Sequence, residues 1–152
     1  MNSKIVKGVF FMSDCLFCKI IDGSIPSTKI YEDEYVYAFM DISPLTKGHT
    51  LLIPKEHVAN VFEMSEETAA NLFKVAPRIA NAIKDSFKPA GMNLLNNNGA
   101  PAGQSVFHFH LHFIPRYDET DGYKPTWITK QDEFTSDILQ GLAEEIKANL
   151  NK

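Results

Sequence analysis

From Phe107 to Ile114 apolar residues alternate with three histidines, Phe107-His108-Phe109-His110-Leu111-His112-Phe113-Ile114. Side chains along a β-strand point to opposite faces with a period of two. The run therefore predicts a strand with Phe107, Phe109, Leu111 and Phe113 on one face and His108, His110 and His112 on the other. An aromatic face of that density needs a packed layer behind it, which commits the chain to a sheet with a core on one side. The imidazole face points to chemistry, because a merely wetted face is more naturally built from Thr, Lys or Glu. Alternate residues lie about 6.6 to 6.8 Å apart along a strand, so the middle imidazole, His110, is within reach of groups held by both neighbours.

The rest of the chain supplies the sheet and its packing layer. Gly23, Pro26, Asp33, Gly48, Pro54 and Gly91 punctuate short β-type runs at Tyr35–Met40, His49–Ile53 and Met92–Asn96, which predicts several strands joined by turns. Between them Leu72, Ala76, Ile79, Ile83 and Phe87 recur at helical spacing behind a capping Ser65 and the acidic Glu66 and Glu67, which predicts one long helix. Pro77 is expected to kink that helix or divide it. A second helix is predicted near the end, where Ile138, Leu142, Ile146 and Leu150 form one stripe. The fold class is α+β: an antiparallel sheet packed by a long helix and a C-terminal helix.

A chain of 152 residues with 44% hydrophobic and 22% charged residues suits one globular domain. The net charge of −4 leaves no broad basic surface, which argues against nucleic acid as a partner. The apolar pieces before Met12 are too brief for a signal core or a membrane span, so no membrane partner is expected and the compartment read from the sequence is the cytoplasm. Patterned sequence begins at Ser13-Asp14-Cys15. Residues 1–12 are accordingly read as a disordered extension and residues 13–152 as a single domain.

Two further signals carry chemistry. Cys15-Leu16-Phe17-Cys18 contains the only two cysteines, and a C-x-x-C pair reads equally as a redox pair or as half of a zinc site. His57 and His108 are candidates to complete a closed Cys2His2 tetrahedron; a structural disulfide does not suit a cytoplasmic chain. The loop from Asn96 to Ser105, Asn-Asn-Asn-Gly-Ala-Pro-Ala-Gly-Gln-Ser, leads straight into the histidine run. Its glycines and uncharged donors could grip a phosphate, with Ser105 assisting, or could simply join two strands.

The segment His108-Phe109-His110-Leu111-His112-Phe113-Ile114 resembles the signature of the histidine triad (HIT) proteins. The likeness takes in Gly103-Gln104-Ser105-Val106, Phe39-Met40-Asp41-Ile42-Ser43-Pro44 and Leu52-Ile53-Pro54-Lys55-Glu56-His57, and runs from about Asp14 to Arg116. The chain looks most like bacterial Hit proteins of the Hint-like branch, although Ile114-Pro115-Arg116 stands where Hint proteins usually have glycines and is closer to the Fhit branch.

What the resemblance implies is a HIT-like fold and a hydrolase or transferase acting at the α-phosphate of purine nucleotide derivatives, either phosphoramidates or dinucleoside polyphosphates. His110 would be the nucleophile that forms a covalent nucleotidyl-histidine. His112 and Ser105 would assist as donors, with Gln104, Gly103 and Asn97 around the phosphate. Phe17, Ile20, Ile25, Phe39 and Ile42 match the walls that hold the purine, Asp41 the acid that binds ribose, and His49 a histidine near the active site. The resemblance also implies a structural Zn2+ on Cys15, Cys18, His57 and His108, and a homodimer in which the segment Ser65 to Phe87 pairs. Two other classes remain open: a metal-dependent hydrolase in which His108, His110 and His112 share one ion, and a nucleotide-binding regulator with vestigial catalysis.

Overall fold

The computed structural model describes residues 3–6, 9–12 and 14–150. In chain order the elements are β1 (Ser3–Val6), β2 (Val9–Met12), α1 (Leu16–Ile21), β3 (Lys29–Glu32), β4 (Val36–Met40), β5 (Thr50–Pro54), α2 (Glu66–Phe87), β6 (Gly91–Leu95), β7 (Leu111–Arg116) and α3 (Ser136–Asn149). β1 and β2 pair with each other as an antiparallel hairpin outside the main sheet. The expectation of a disordered extension over residues 1–12 falls partly on Met1, Asn2, Lys7 and Gly8, which lie outside the described residues.

Alternation along β4 and β5 separates two cores rather than core from water, because every residue of β5 and all of β4 except Met40 are buried. Val36, Ala38 and Leu52, joined by Leu111 and Phe113 of β7, pack on Leu72, Val75, Ala76, Ile79 and Ile83 of α2. Tyr37, Phe39, Leu51 and Ile53 pack on the other side with Phe17 and Ile20 of α1. The five-stranded sheet is antiparallel throughout, in the order β3-β4-β5-β7-β6. β7 lies between β5 and β6, with His112 opposite Leu51 on one side and Leu95 on the other. Since Leu111 and Phe113 face α2, the alternation that buries them turns His112 to the α1 side.

Three expectations change. The histidine run is strand only from Leu111 onward. The chain bends at residues 106–108, and the Phe109 N–H donates to Val58 O at 2.7 Å rather than continuing a strand ladder. Phe109, Leu111 and Phe113 are buried as the pattern required, whereas Phe107 is half exposed. Pro77 does not divide α2, which runs unbroken over 22 residues. Pro77 lies on its exposed side, where the carbonyl that loses its helical partner can turn to water. Finally, α3 forms over the predicted stripe but no residue of it is buried, so α1, which the sequence reading missed, is the second helix that packs on the sheet.

Two local devices fix the ends of these elements. Ser65 Oγ accepts the Thr68 N–H at 3.1 Å and caps α2 as expected. At the turn into β5, Gly48 has φ of +87°, and a Cβ there would stand 2.7 and 2.9 Å from two ring carbons of Phe87. Both the left-handed backbone and the close approach require glycine. Gly48→Ala is expected to cost about 2–4 kcal/mol of stability, measured by chemical denaturation; an unchanged midpoint would mean that Phe87 moves aside freely.

Candidate active site

Four ligand-type side chains converge where α1 meets the segment before β7. Cys15 caps the start of α1, its sulfur accepting the Cys18 N–H at 3.5 Å. Cys15 Sγ lies 3.5 Å from His108 Nδ1, Cys18 Sγ lies 3.3 Å from His57 Nδ1 and 3.7 Å from His108 Nδ1, and all four donor atoms fall within 4.8 Å of one another. A tetrahedral zinc with ordinary bond lengths sets sulfur and nitrogen ligands about 3.6 Å apart, so the cluster has the dimensions of such a site. Its protonation fits as well. His108 Nε2–H donates to Pro54 O at 2.8 Å, which leaves the Nδ1 lone pair aimed at the two sulfurs and supplies the outer hydrogen bond that metal-binding histidines use. The Cys15 thiol is pulled down to about 3, first by the hydrogen bond from the Cys18 side chain and then by His108 and the Cys18 backbone, against the opposing effect of burial.

The other two triad histidines belong to a separate network. His110 Nδ1–H donates to His108 O at 2.8 Å, so its Nε2 carries the lone pair. The Asn96 side-chain amide donates to His110 O at 3.0 Å and fixes the backbone on the other side. At His49 the Leu45 N–H approaches Nδ1 at 3.1 Å. A backbone amide can only donate, so Nδ1 accepts and the proton sits on Nε2. That Nε2–H donates to His112 Nδ1 at 2.9 Å, which in turn places the His112 proton on Nε2. The chain Leu45 N–H, His49, His112 thus defines both tautomers from one fixed amide. Asp41 stands beside it, with Oδ2 3.6 Å from His49 Nε2 and 3.9 Å from His112 Nδ1, while Oδ1 accepts the Ser43 N–H at 2.8 Å.

The neutral forms that these tautomers require are favoured by the surroundings. His110 is held below the ordinary imidazole value chiefly by burial, which its bond to His108 O opposes. Burial likewise lowers His49, with the Asp41 carboxylate pulling the other way. His112 is pushed to about 4 by burial, then by the neighbouring His110 and His49. The result is a lone pair on His110 and an N–H on His112, two rings with centroids 4.9 Å apart. Such an arrangement can supply a nucleophile next to a proton donor. The three triad imidazoles do not converge on one point: His108 faces the cysteines and His112 faces His49. The metal-dependent alternative built on all three is therefore not the arrangement adopted.

The remaining expected residues divide by environment. Phe17, Ile20 and Phe39 are buried in the core on the α1 side, with Ile25 packed against them, and the Phe17 and His110 rings meet in a T-shaped arrangement with centroids 5.2 Å apart. Ile42 is 92% exposed. Gln104 is buried and spent within the loop: Oε1 accepts the Gly99 N–H at 2.7 Å, and Nε2 donates to Ala59 O at 2.6 Å and Val106 O at 3.0 Å. Asn97 Nδ2 donates to Gly103 O at 3.5 Å. Gly99 and Gly103 are both left-handed, with φ of +89° and +88°. The exposed Ser105 hydroxyl has no partner among the described residues. The sequence reading missed Leu45 and Asn96. Asn96 stood in view as part of the polar loop, but a backbone amide such as that of Leu45 has no side-chain signature at all.

A model of the HIT domain matches residues 22–119. The chain belongs to the HIT-domain family. Protein hit of Bacillus subtilis is 54% identical over 137 residues, 90% of this chain and 94% of that protein. Adenosine 5'-monophosphoramidase HNT1 of Saccharomyces cerevisiae is 42% identical, covering 90% and 82%. Among solved structures, a HIT family protein from Bacillus anthracis superposes with a TM-score of 0.89 at 55% identity over 91% of this chain and 99% of that one. A Zn-bound histidine triad family protein from Mycobacterium smegmatis gives 0.68 at 34% identity over 89% and 96%. This is a bacterial Hit-like protein with an α+β HIT fold.

Burying neutral imidazoles ties the stability of this HIT domain to pH. For His110 and His112 the folded values lie below 6.5, the ordinary value. Below that pH the unfolded chain takes up protons that the folded one refuses, so stability falls as pH drops from 6.5 toward 4. His112→Asn is expected to remove on the order of 2 kcal/mol of that acid loss. Urea midpoints of both proteins between pH 7 and pH 4.5 check this, and parallel curves would show that His112 titrates normally.

Proposed function

We propose that this HIT-domain protein hydrolyses purine nucleotide derivatives at the α-phosphate through a covalent nucleotidyl intermediate on His110. The observation that carries the reading is the pair of tautomers, a lone pair on His110 Nε2 beside a proton on His112 Nε2. His110 Nε2 attacks the phosphorus; the new N–P bond forms as the bond to the leaving group breaks, and His112 donates its proton to the departing atom. Water then attacks the phosphorus as the N–P bond breaks; its oxygen stays on the phosphorus and its proton goes back to His112, so that both imidazoles are restored. The Ser105 hydroxyl and the backbone of the Gly99–Ser105 loop stabilise charge on the phosphoryl oxygens, the step in which positioning and electrostatics do most of the work. Asp41 takes the ribose hydroxyls, while the α1-side core formed by Phe17, Ile20, Ile25 and Phe39 walls the base. The name of the yeast relative, an adenosine 5'-monophosphoramidase, favours a nucleoside phosphoramidate as substrate.

The unit that acts is the domain of residues 13–152, working in the cytoplasm as a homodimer. Among the described residues no helix is long and apolar enough to cross a membrane. Phe73 of α2 and Leu94 of β6, both about half exposed, supply apolar surface for pairing on the segment Ser65 to Phe87 and its neighbour. Zinc would sit on Cys15, Cys18, His57 and His108. Two thiolates and two imidazoles close a tetrahedron, so its contribution is structural: it ties α1 to the catalytic segment and leaves no position for an activated water.

His110→Ala is expected to lower turnover by a factor on the order of 10⁴ or more while nucleotide binding remains measurable. Rapid quench with a labelled phosphoramidate followed by mass spectrometry should find the nucleotidyl group on His110. Label on another residue, or near-normal turnover by the variant, would overturn the assignment.

The metal is tested separately. Purified protein is expected to carry about one zinc per chain, and Cys15→Ser or chelation should lower the Tm by several degrees or more while raising KM only modestly. A zinc-free native protein of unchanged Tm would return the cysteines to the redox reading.

A further inference from the structure

The peptide of His110 lies one residue before β7, and neither β5 nor β6 pairs with it. Its orientation is therefore set outside the sheet ladder, by side chains and loop backbone. Asn96, the first residue after β6, donates from Nδ2 to His110 O at 3.0 Å. A second asparagine fixes that amide in turn. Asn98 Nδ2 donates to Asn96 Oδ1, and Asn98 Oδ1 accepts the Val61 N–H at 2.8 Å.

These bonds have only one consistent direction. The two ends of a side-chain amide are alike in shape but opposite in hydrogen bonding, so an Asn on its own can sit either way round, whereas a backbone N–H can only donate. The Val61 N–H draws the oxygen of Asn98 toward itself. That turns the Asn98 NH2 to Asn96 and the Asn96 NH2 to His110 O. Reversing one amide along this path sets oxygen against oxygen at His110.

The segment that starts the relay also holds the other flank of His110. Val58 O accepts the Phe109 N–H at 2.7 Å, Ala59 O accepts from Gln104 Nε2 at 2.6 Å, and His57 belongs to the Cys–His cluster. Residues 57–61 thus grip the backbone before His110 directly and the backbone after it through Asn98 and Asn96. The ring itself has one further tie, from Nδ1–H to His108 O. With that tie kept, a turn of the His110 peptide changes where Nε2 points.

We propose that Asn98 is a positioning residue for His110, acting through Asn96 to orient the His110 peptide and so the line along which Nε2 meets phosphorus. The inference rests on the reading of His110 as the nucleophile. Asn98 itself touches no reacting atom in this role. Its influence is large because attack tolerates little misplacement: a displacement on the order of 1 Å costs about a hundredfold in rate.

The test is a double-mutant cycle read in kcat, KM, Tm and the single-turnover rate at which a labelled adenosine 5'-phosphoramidate marks His110. Asn98→Asp keeps the shape and the acceptor for Val61 but offers Asn96 no proton, so the Asn96 NH2 turns away from His110. The expected result is a fall of roughly ten- to a hundredfold in kcat and in the labelling rate, with KM changed by less than about twofold. Asn98→Ala, which removes the relay without reversing it, should fall less. In an Asn96→Leu background the Asn98→Asp exchange should cost no further rate, because residues that act through one another are not additive. An equal loss in both backgrounds would mean that the new carboxylate acts on the substrate through its charge, and would overturn the relay. Unchanged rates for Asn98→Asp, or a loss confined to KM or Tm, would overturn it too while labelling of His110 in wild type leaves the nucleophile standing. Wild type labelled elsewhere or not at all overturns both.

Discussion

His108 is committed in three directions at once, and the rest of the site depends on that. Its Nε2–H is anchored on Pro54 O in β5, its Nδ1 faces Cys15 and Cys18, and its carbonyl accepts the proton of His110 Nδ1. The residue is fully buried, so none of these bonds has water as a substitute, and each lost bond would leave an unpaired polar atom costing about 1–3 kcal/mol. A single residue therefore joins the sheet, α1 and the proposed nucleophile. Moving any one of them reorients the His110 imidazole.

The same low-dielectric surroundings keep the reactive rings neutral. Water around His110 and His112 would return them toward ordinary values, and a protonated His110 has no lone pair to offer. The Asp41 carboxylate works against neutrality in all three rings of the network, yet burial outweighs it.

Much of this was legible in the sequence because it follows from periodicity. The helix over 66–87 and its buried stripe, the antiparallel sheet, and the separation of Leu111 and Phe113 from His112 come from spacing alone. The Cys15, Cys18, His57, His108 set was legible as ligand count, and the structure brings all four together. The position of Phe107 was not legible, because one bend at residues 106–108 ends the alternation, and a bend made by loop hydrogen bonds leaves no periodic trace. α1 was missed since six residues are too few to display a helical period. Gln104 looked like a phosphate donor, but an amide flanked by glycines serves loop closure equally well, and only the positions of Ala59 and Val106 decide between the two. The Leu45 amide, which sets two tautomers, is a backbone group that any residue but proline would supply.

The shortness of α1 has a consequence for motion. A helix of six residues has no independent stability in water, where isolated helices need about 12–15 residues even to be marginal. Here it persists because Phe17 and Ile20 dock on Phe39 and Ile53, and because its first turn is held from the Cys15 side. Its opening therefore takes place as one cooperative unit rather than by fraying, and it costs less than unfolding the sheet beneath. Because Phe17 is both an anchor of that unit and the neighbour of His110, each opening would bring water to the proposed nucleophile. On the proposed mechanism, the fraction of time the protein is competent is then set by how tightly its smallest helix is fastened.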